Sequence, residues 1–126
     1  MKLIPADQHV PRLERPNILE LAVEADPRAV SLAGIHRIDL NFPRFTDGRA
    51  YSQAFLLRRR LGFTGEIRAT GDVLVDQLQQ MCRSGFTAAV LRADQELAVA
   101  RRELTRYAAF YQGDAAHPEP HFLKVA

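Results

Sequence analysis

The sequence is short of most features that assign a protein quickly. It holds one cysteine, Cys82, in 126 residues, so no internal disulfide framework can form and a reducing compartment is expected. No apolar run reaches the roughly 18–20 residues of a membrane span. The opening Met1-Lys2-Leu3-Ile4-Pro5 meets Asp7 and Gln8 too early for a signal-peptide core, so the reading is a cytoplasmic protein with no membrane partner. Charge of one sign is missing too. Seventeen basic residues stand against 15 acidic ones, a formal net charge of +2, which argues against nucleic acid as a partner. His9, His36, His117 and His121 show no metal-ligand spacing, and Pro118 and Pro120 prevent a regular helix that presents the last two together. No Gly-rich dinucleotide fingerprint and no phosphate loop follow an expected strand. Neither a metal nor a cofactor is expected.

What is present is an ordinary globular composition, 47% hydrophobic and 25% charged. The length suits one core without staples and leaves little room for a second domain. Pro5, Pro11 and Pro16 punctuate residues 1–16, which read as an irregular N-terminal arm. Residues 113–126, with Pro118 and Pro120, read as a C-terminal tail. Residues 17–112 form a single α/β domain.

Within that domain one grammar repeats four times, a short strand and then a helix opened by aspartate. Strand 18–23 leads into Asp26-Pro27, an N-cap followed by proline at the first helical position, and the helix stops near Gly34. Strand 37–42 is followed by a loop, 43–48, and a helix from about Arg49 to Leu61. Ala50, Ala54, Leu57 and Leu61 make its stripe, and Gly62 supplies the stop. Strand 66–70 precedes a helix opened by Gly71 and Asp72, carrying Leu74, Leu78, Met81 and Cys82 on one face and ending at Gly85. Strand 87–91 precedes a last helix capped by Asp94. Strands alternating with helices imply parallel strands joined by right-handed crossovers.

The first three strands alternate in polarity. Ile38, Leu40 and Phe42 oppose Arg37, Asp39 and Asn41, while Ile67 and Ala69 oppose Glu66, Arg68 and Thr70. Residues two apart share a face, so the sheet has an apolar side and a charged side, with helices mainly on the apolar one. The expected fold is a four-stranded parallel sheet in order 1-2-3-4, like half of a (β/α)-barrel. The charged side could face water, line a site or meet a second copy of the chain. Two half-barrels face to face, a homodimer, would close the exposed edges.

Ligands of parallel α/β sheets bind outside the carboxyl ends of the strands. Those ends supply Asn41, Arg44, Thr46, Asp47 and Arg49 in one loop, Thr70 and Asp72 in the next, and Arg92 in the third. Asp39 and Arg68 project from the strands below. Arginine offers a planar fork for carboxylate, sulfate or phosphate. A structural account competes. Asp26, Asp47, Asp72 and Asp94 each stand where a helix begins, and capping would use all four. Asp39 and Arg68 would form an ion pair across the sheet, or a catalytic acid or base held by arginine. Arg58-Arg59-Arg60 points in three directions on a helix and reads as a solvated helix end.

The run Phe42-Pro43-Arg44-Phe45-Thr46-Asp47-Gly48-Arg49-Ala50-Tyr51-Ser52 and the stretch from Leu61 to Leu74 resemble a family of uncharacterised bacterial proteins, domain of unknown function 934. Asp76-Gln77-Leu78, Cys82-Arg83-Ser84-Gly85-Phe86 and Tyr111-Gln112 fit as well, so the likeness covers roughly residues 17–112. Members are often labelled oxidoreductase and are commonly encoded beside sulfite reductase and other sulfate-assimilation enzymes. The resemblance therefore implies an accessory role in assimilatory sulfite reduction, with a sulfite reductase subunit as partner. The chain departs from the family at Val75, where members usually carry a basic residue, and at Gln79 and Gln80, where they are aromatic-rich. The residues themselves leave an alternative open: a binding protein or enzyme for a small anion or carboxylate. They contain no complete catalytic constellation.

Overall fold

The computed structural model describes residues 1–10 and 17–109, with side chains as far as Arg106. Residues 11–16 of the arm and the expected tail, 113–126, lie outside the described residues.

Five strands form one sheet: β1 (Lys2–Ile4), β2 (Ile18–Leu21), β3 (Arg37–Phe42), β4 (Glu66–Gly71) and β5 (Ala88–Val90). Every pairing is parallel, and the order is β1-β5-β4-β3-β2. This corrects the expected four strands in order 1-2-3-4. The added strand comes from the arm read as irregular. Lys2 N–H donates to the Thr87 carbonyl at 2.8 Å, and Leu91 N–H donates to the Ile4 carbonyl at 2.9 Å. Three residues before a proline show no period of their own, and proline is tolerated where an edge strand ends.

The helices are α1 (Arg49–Arg59), α2 (Leu78–Ser84) and α3 (Leu97–Ala109). Among the described residues, no helix is long and apolar enough to cross a membrane. The helix expected after Asp26 is a single 3-10 turn, Pro27–Ala29, and α3 begins three residues beyond Asp94. The helix expected from Asp72 starts only at Leu78, after a turn at Val75–Gln77. Val73 and Val75 are both buried, at 0% and 8% exposure, and burial at a spacing of two belongs to extended chain. Gly85 ends α2 with φ of 112°, the left-handed conformation glycine adopts freely.

One face of the sheet presents Leu21, Ile38, Leu40, Phe42, Ile67, Ala69 and Ala89. They pack into one core with Ala50, Ala54 and Leu57 of α1, Leu78 and Met81 of α2, and Ala100 of α3. The other face carries charges in opposed register: Arg37 opposite Glu66, and Asp39 opposite Arg68. Signs alternate along each strand and across the pair. Because β1 and β2 are parallel and at opposite edges, the connection between them must return across the sheet. It crosses the charged face, where Arg37 Nη2 donates to the Val10 carbonyl at 2.7 Å and Arg68 Nη1 lies 3.1 Å from His9 Nδ1. This return runs on the opposite face and in the opposite direction to the helical crossovers. The two reversals together leave the handedness unchanged. Asp39 and Arg68 are left 2% and 6% exposed.

Gly71, at the end of β4, has φ of +89°, and a Cβ there would stand 2.4 Å from both Asn41 Oδ1 and the Phe42 carbonyl oxygen. Strain and overpacking then act together, so Gly71→Ala should cost about 3 kcal/mol. Gly48→Ala, with open space around it, should stay within about 1 kcal/mol of the parent. Urea unfolding of both variants checks the contrast.

Candidate functional site

At the carboxyl ends of the strands, Asp72 acts as a clasp. Its Oδ2 accepts the Phe45 backbone N–H at 2.7 Å and its Oδ1 accepts Arg92 Nη1 at 2.5 Å. The loop after β3 and the loop after β5 are thus tied to the residue that follows β4. Gln77 Nε2 adds a bond to the Phe45 carbonyl at 2.5 Å, and Gln95 Oε1 accepts the Val75 N–H at 2.9 Å. The expected role of Asp72 as a helix cap is therefore corrected. One of the four aspartates is an N-cap, Asp26, which accepts the Arg28 N–H at 2.9 Å; Asp47 stands one residue before the N-cap Gly48 and accepts the Arg49 N–H at 3.0 Å.

The candidate arginines differ sharply in what they are free to do. Arg49 gives Nε and Nη2 to Asp47, and its hydrogen bonds hold the Asp47 carboxyl down to about 2. Arg92 gives Nε and Nη2 to Asp94 at 2.7 and 2.5 Å as well as Nη1 to Asp72. Asp94 is likewise held down to about 2, chiefly by Arg92. The Asp72 carboxyl is lowered by Arg92 first and then by the Phe45 N–H. Arg44, by contrast, is exposed and its side chain has no hydrogen bond or ion pair among the described residues. Thr46 and Asn41 are exposed, and Thr70 Oγ1 donates to the Leu40 carbonyl at 3.4 Å. Among the described residues, no group of three or more His, Cys, Asp and Glu side chains could hold a metal.

Asp39 and Arg68 lie elsewhere, on the charged face. The expected ion pair between them gives way to pairs within each strand. Arg37 grips Asp39 in a bidentate pair at 2.8 and 2.9 Å, and Arg68 Nε donates to Glu66 Oε2 at 2.6 Å. His9 of the arm sits over the gap, its Nε2 3.9 Å from Asp39 Oδ2. A guanidinium can only donate, so His9 Nδ1 accepts from Arg68 and the ring is neutral with its proton on Nε2. Burial pushes the His9 pKa below 6.5; Asp39 opposes this, and Arg68 and Arg37 reinforce it. Arg37 and Glu66 were visible in the strand alternation. His9 carried no signal at all, because only the path of the arm brings it here.

The sign of the resulting pH dependence follows. A histidine whose pKa falls on folding contributes stability that is fully present above its unfolded value, about 6.5, and lost as pH falls through the folded value. Stability should therefore decline more between pH 7.5 and 5 in the parent than in His9→Gln. Parallel curves for the two proteins would contradict this role.

The comparisons with known proteins agree with the motif reading. A family model described as bacterial protein of unknown function, DUF934, matches residues 18–122. No curated protein and no solved structure matches the chain. The match opens at Ile18, the first residue of β2, so β1 and His9 lie before it. With that model spanning most of its length, the chain belongs to the DUF934 family of bacterial proteins of unknown function.

Proposed function

We propose that this protein is a non-catalytic accessory partner in assimilatory sulfite reduction and docks on a sulfite reductase subunit through the 43–48 loop. The observation that carries the reading is Phe45. The residue is 47% exposed, although both of its backbone hydrogen-bonding groups are pinned, the N–H by Asp72 and the carbonyl by Gln77. The loop holds an aromatic side chain out into water beside Arg44, which is unpaired among the described residues. Aromatic and arginine side chains dominate binding energy at interfaces, and a braced loop loses little entropy when it docks. Closure of Arg49 and Arg92 on their own carboxylates supports a displaying surface over a catalytic pocket. The family's usual setting beside sulfite reductase supplies the partner.

The test is retention of purified sulfite reductase on the immobilised protein. The parent should retain it, and Phe45→Ala with Arg44→Ala should weaken binding about 30-fold, as loss of a hot spot does. Unchanged sulfite reductase activity in cells lacking the protein would overturn the reading.

A second reading, a site for a small anion or carboxylate at the strand ends, is favoured by Arg44, unpaired among the described residues, beside exposed Asn41 and Thr46. Sulfate, phosphate or a carboxylate should then raise the Tm, and Arg44→Ala should remove the rise. A broad anion panel without effect discards it.

A further inference from the structure

We infer that the cleft between the carboxyl ends of β1 and β5 takes a small organic monocation, an alkylammonium with an apolar body, a site apart from both readings above. Topology points to the place. The connections after β2, β3, β4 and β5 all pack on the apolar face, through Val30 and Leu32, Leu57, Leu78 and Ala100 in turn. The chain leaves β1 over the charged face, where His9 and Val10 meet Arg68 and Arg37. β1 and β5 are neighbours in the sheet, so their carboxyl ends part in opposite directions. Ligands of open parallel sheets bind in the crevice that such a divergence opens. A cleft of about 370 Å³ lies there, within the range of small-molecule sites, roughly 300–1,000 Å³.

Pro5, Ala6 and Asp7 form one wall of the cleft, and Arg92, Ala93 and Leu97 form the other. Its apolar surface is within reach of a ligand, because Ala6 and Ala93 are exposed and Pro5 and Leu97 are half-buried. Asp7 is exposed, and its carboxylate has no hydrogen bond or ion pair among the described residues. Arg92 is the opposite case. It gives Nε and Nη2 to Asp94 and Nη1 to Asp72, so its plane is fixed and its charge is answered twice. Gln95 is held as well, with Oε1 on the Val75 N–H. Asp7 is thus the charged group of the cleft that is open to a partner.

Charge and polarity select the ligand class. Asp7, Arg92 and the two carboxylates on Arg92 carry one positive charge against three negative ones. Further out, Glu96 and Asp76 add two negative charges, and Arg44 and Arg101 add two positive ones. The N-terminus of α3, at Leu97, contributes about half a positive charge. The balance stays negative, which disfavours an anion. A lone carboxylate between apolar walls offers too few oxygens for a divalent metal ion. An ammonium donates to Asp7 in a charge-assisted hydrogen bond, and its alkyl chain covers Ala6, Ala93 and Leu97.

The test is titration of the full chain with butylammonium chloride, with sodium butyrate and 1-butanol as controls, followed by backbone amide NMR shifts and by Tm. Butylammonium should give saturable shifts at millimolar concentration, centred on residues 6–7 and 93–97, and a saturable Tm rise. Both controls should be much weaker. Asp7→Asn, on an exposed side chain that leaves the fold intact, should weaken binding at least tenfold. Ala93→Phe, also at an exposed position, should fill the cleft and remove the response. Absence of a saturable response, shifts centred elsewhere, an equal response to butyrate, or an undiminished response in Asp7→Asn overturns the site. Phe45→Ala with Arg44→Ala should not weaken butylammonium binding, which keeps this result separate from the docking and anion readings.

Discussion

Replacing Arg58 by methionine should destabilise the protein by about 3 kcal/mol, while the same change at Arg59 or Arg60 should stay within about 0.5 kcal/mol. The run of three arginines reads in sequence as a solvated helix end, and that holds for exposed Arg59 and Arg60. Arg58 turns inward. Its Nε donates to the Gly85 carbonyl at 2.9 Å, and its Nη1 donates to the Phe63 and Gly65 carbonyls at 2.9 and 2.6 Å. Its guanidinium also lies 5.7 Å from the centre of the Phe63 ring. One side chain thus joins the end of α1, the end of α2 and the approach to β4. Burial lowers its pKa, yet a guanidinium stays charged, so these are charge-assisted bonds. Methionine keeps the apolar stem and strands three carbonyls. It also removes Nη2, which is buried without a partner, so the net loss is smaller than three full bonds. Lysine should not rescue, because a single ammonium cannot span the same three acceptors. Denaturant unfolding checks this, and a methionine variant within 1 kcal/mol of the parent would refute the tie.

Asp39→Leu should cost about 3–5 kcal/mol, the loss expected when one member of a buried ion pair is removed. Asp39 is 2% exposed and takes two bonds from Arg37. Without it, Arg37 and Arg68 share one face with Glu66 as the nearest counter-charge. The double variant Arg37→Met with Asp39→Leu should recover much of the loss, since an apolar pair of similar volume is often as stable as a buried ion pair. A double-mutant cycle should give a coupling of about 2 kcal/mol. Strict additivity would show that the two residues do not act as a pair.

The alternation of Ile38, Leu40 and Phe42 with Arg37, Asp39 and Asn41 made one apolar and one charged face legible, because period two is a local property of the chain. The stripe of Ala50, Ala54 and Leu57 was legible for the same reason. β1 was not. Lys2-Leu3-Ile4 is too short to show a period, and its partner, Ala88-Ala89-Val90, is remote in sequence. His9 inherits that failure, since its place depends on the arm's path between two distant edges. Asp72 misled for a different reason. An aspartate after glycine looks alike whether it caps its own helix or accepts from Phe45 across a loop. The pairing of the charges did have a signal. Asp26 with Arg28, Arg37 with Asp39, Asp47 with Arg49, Glu66 with Arg68 and Arg92 with Asp94 all sit two residues apart. Read with that spacing in mind, Arg44 stands out as the loop arginine with no acid two positions away.

The path of residues 2–10, which sets β1 beside β5 and carries His9 and Val10 over the charged face, is the feature on which the buried state of Asp39 depends. The most direct measurement is a nitrogen-detected NMR titration of His9 in the full chain. The account predicts a neutral ring at pH 7, protonated at Nε2, with a titration midpoint below 6.5 that moves when Arg68 is replaced by methionine. A His9 ring that titrates at about 6.5 and ignores the Arg68 substitution would place the arm in solvent and contradict the account.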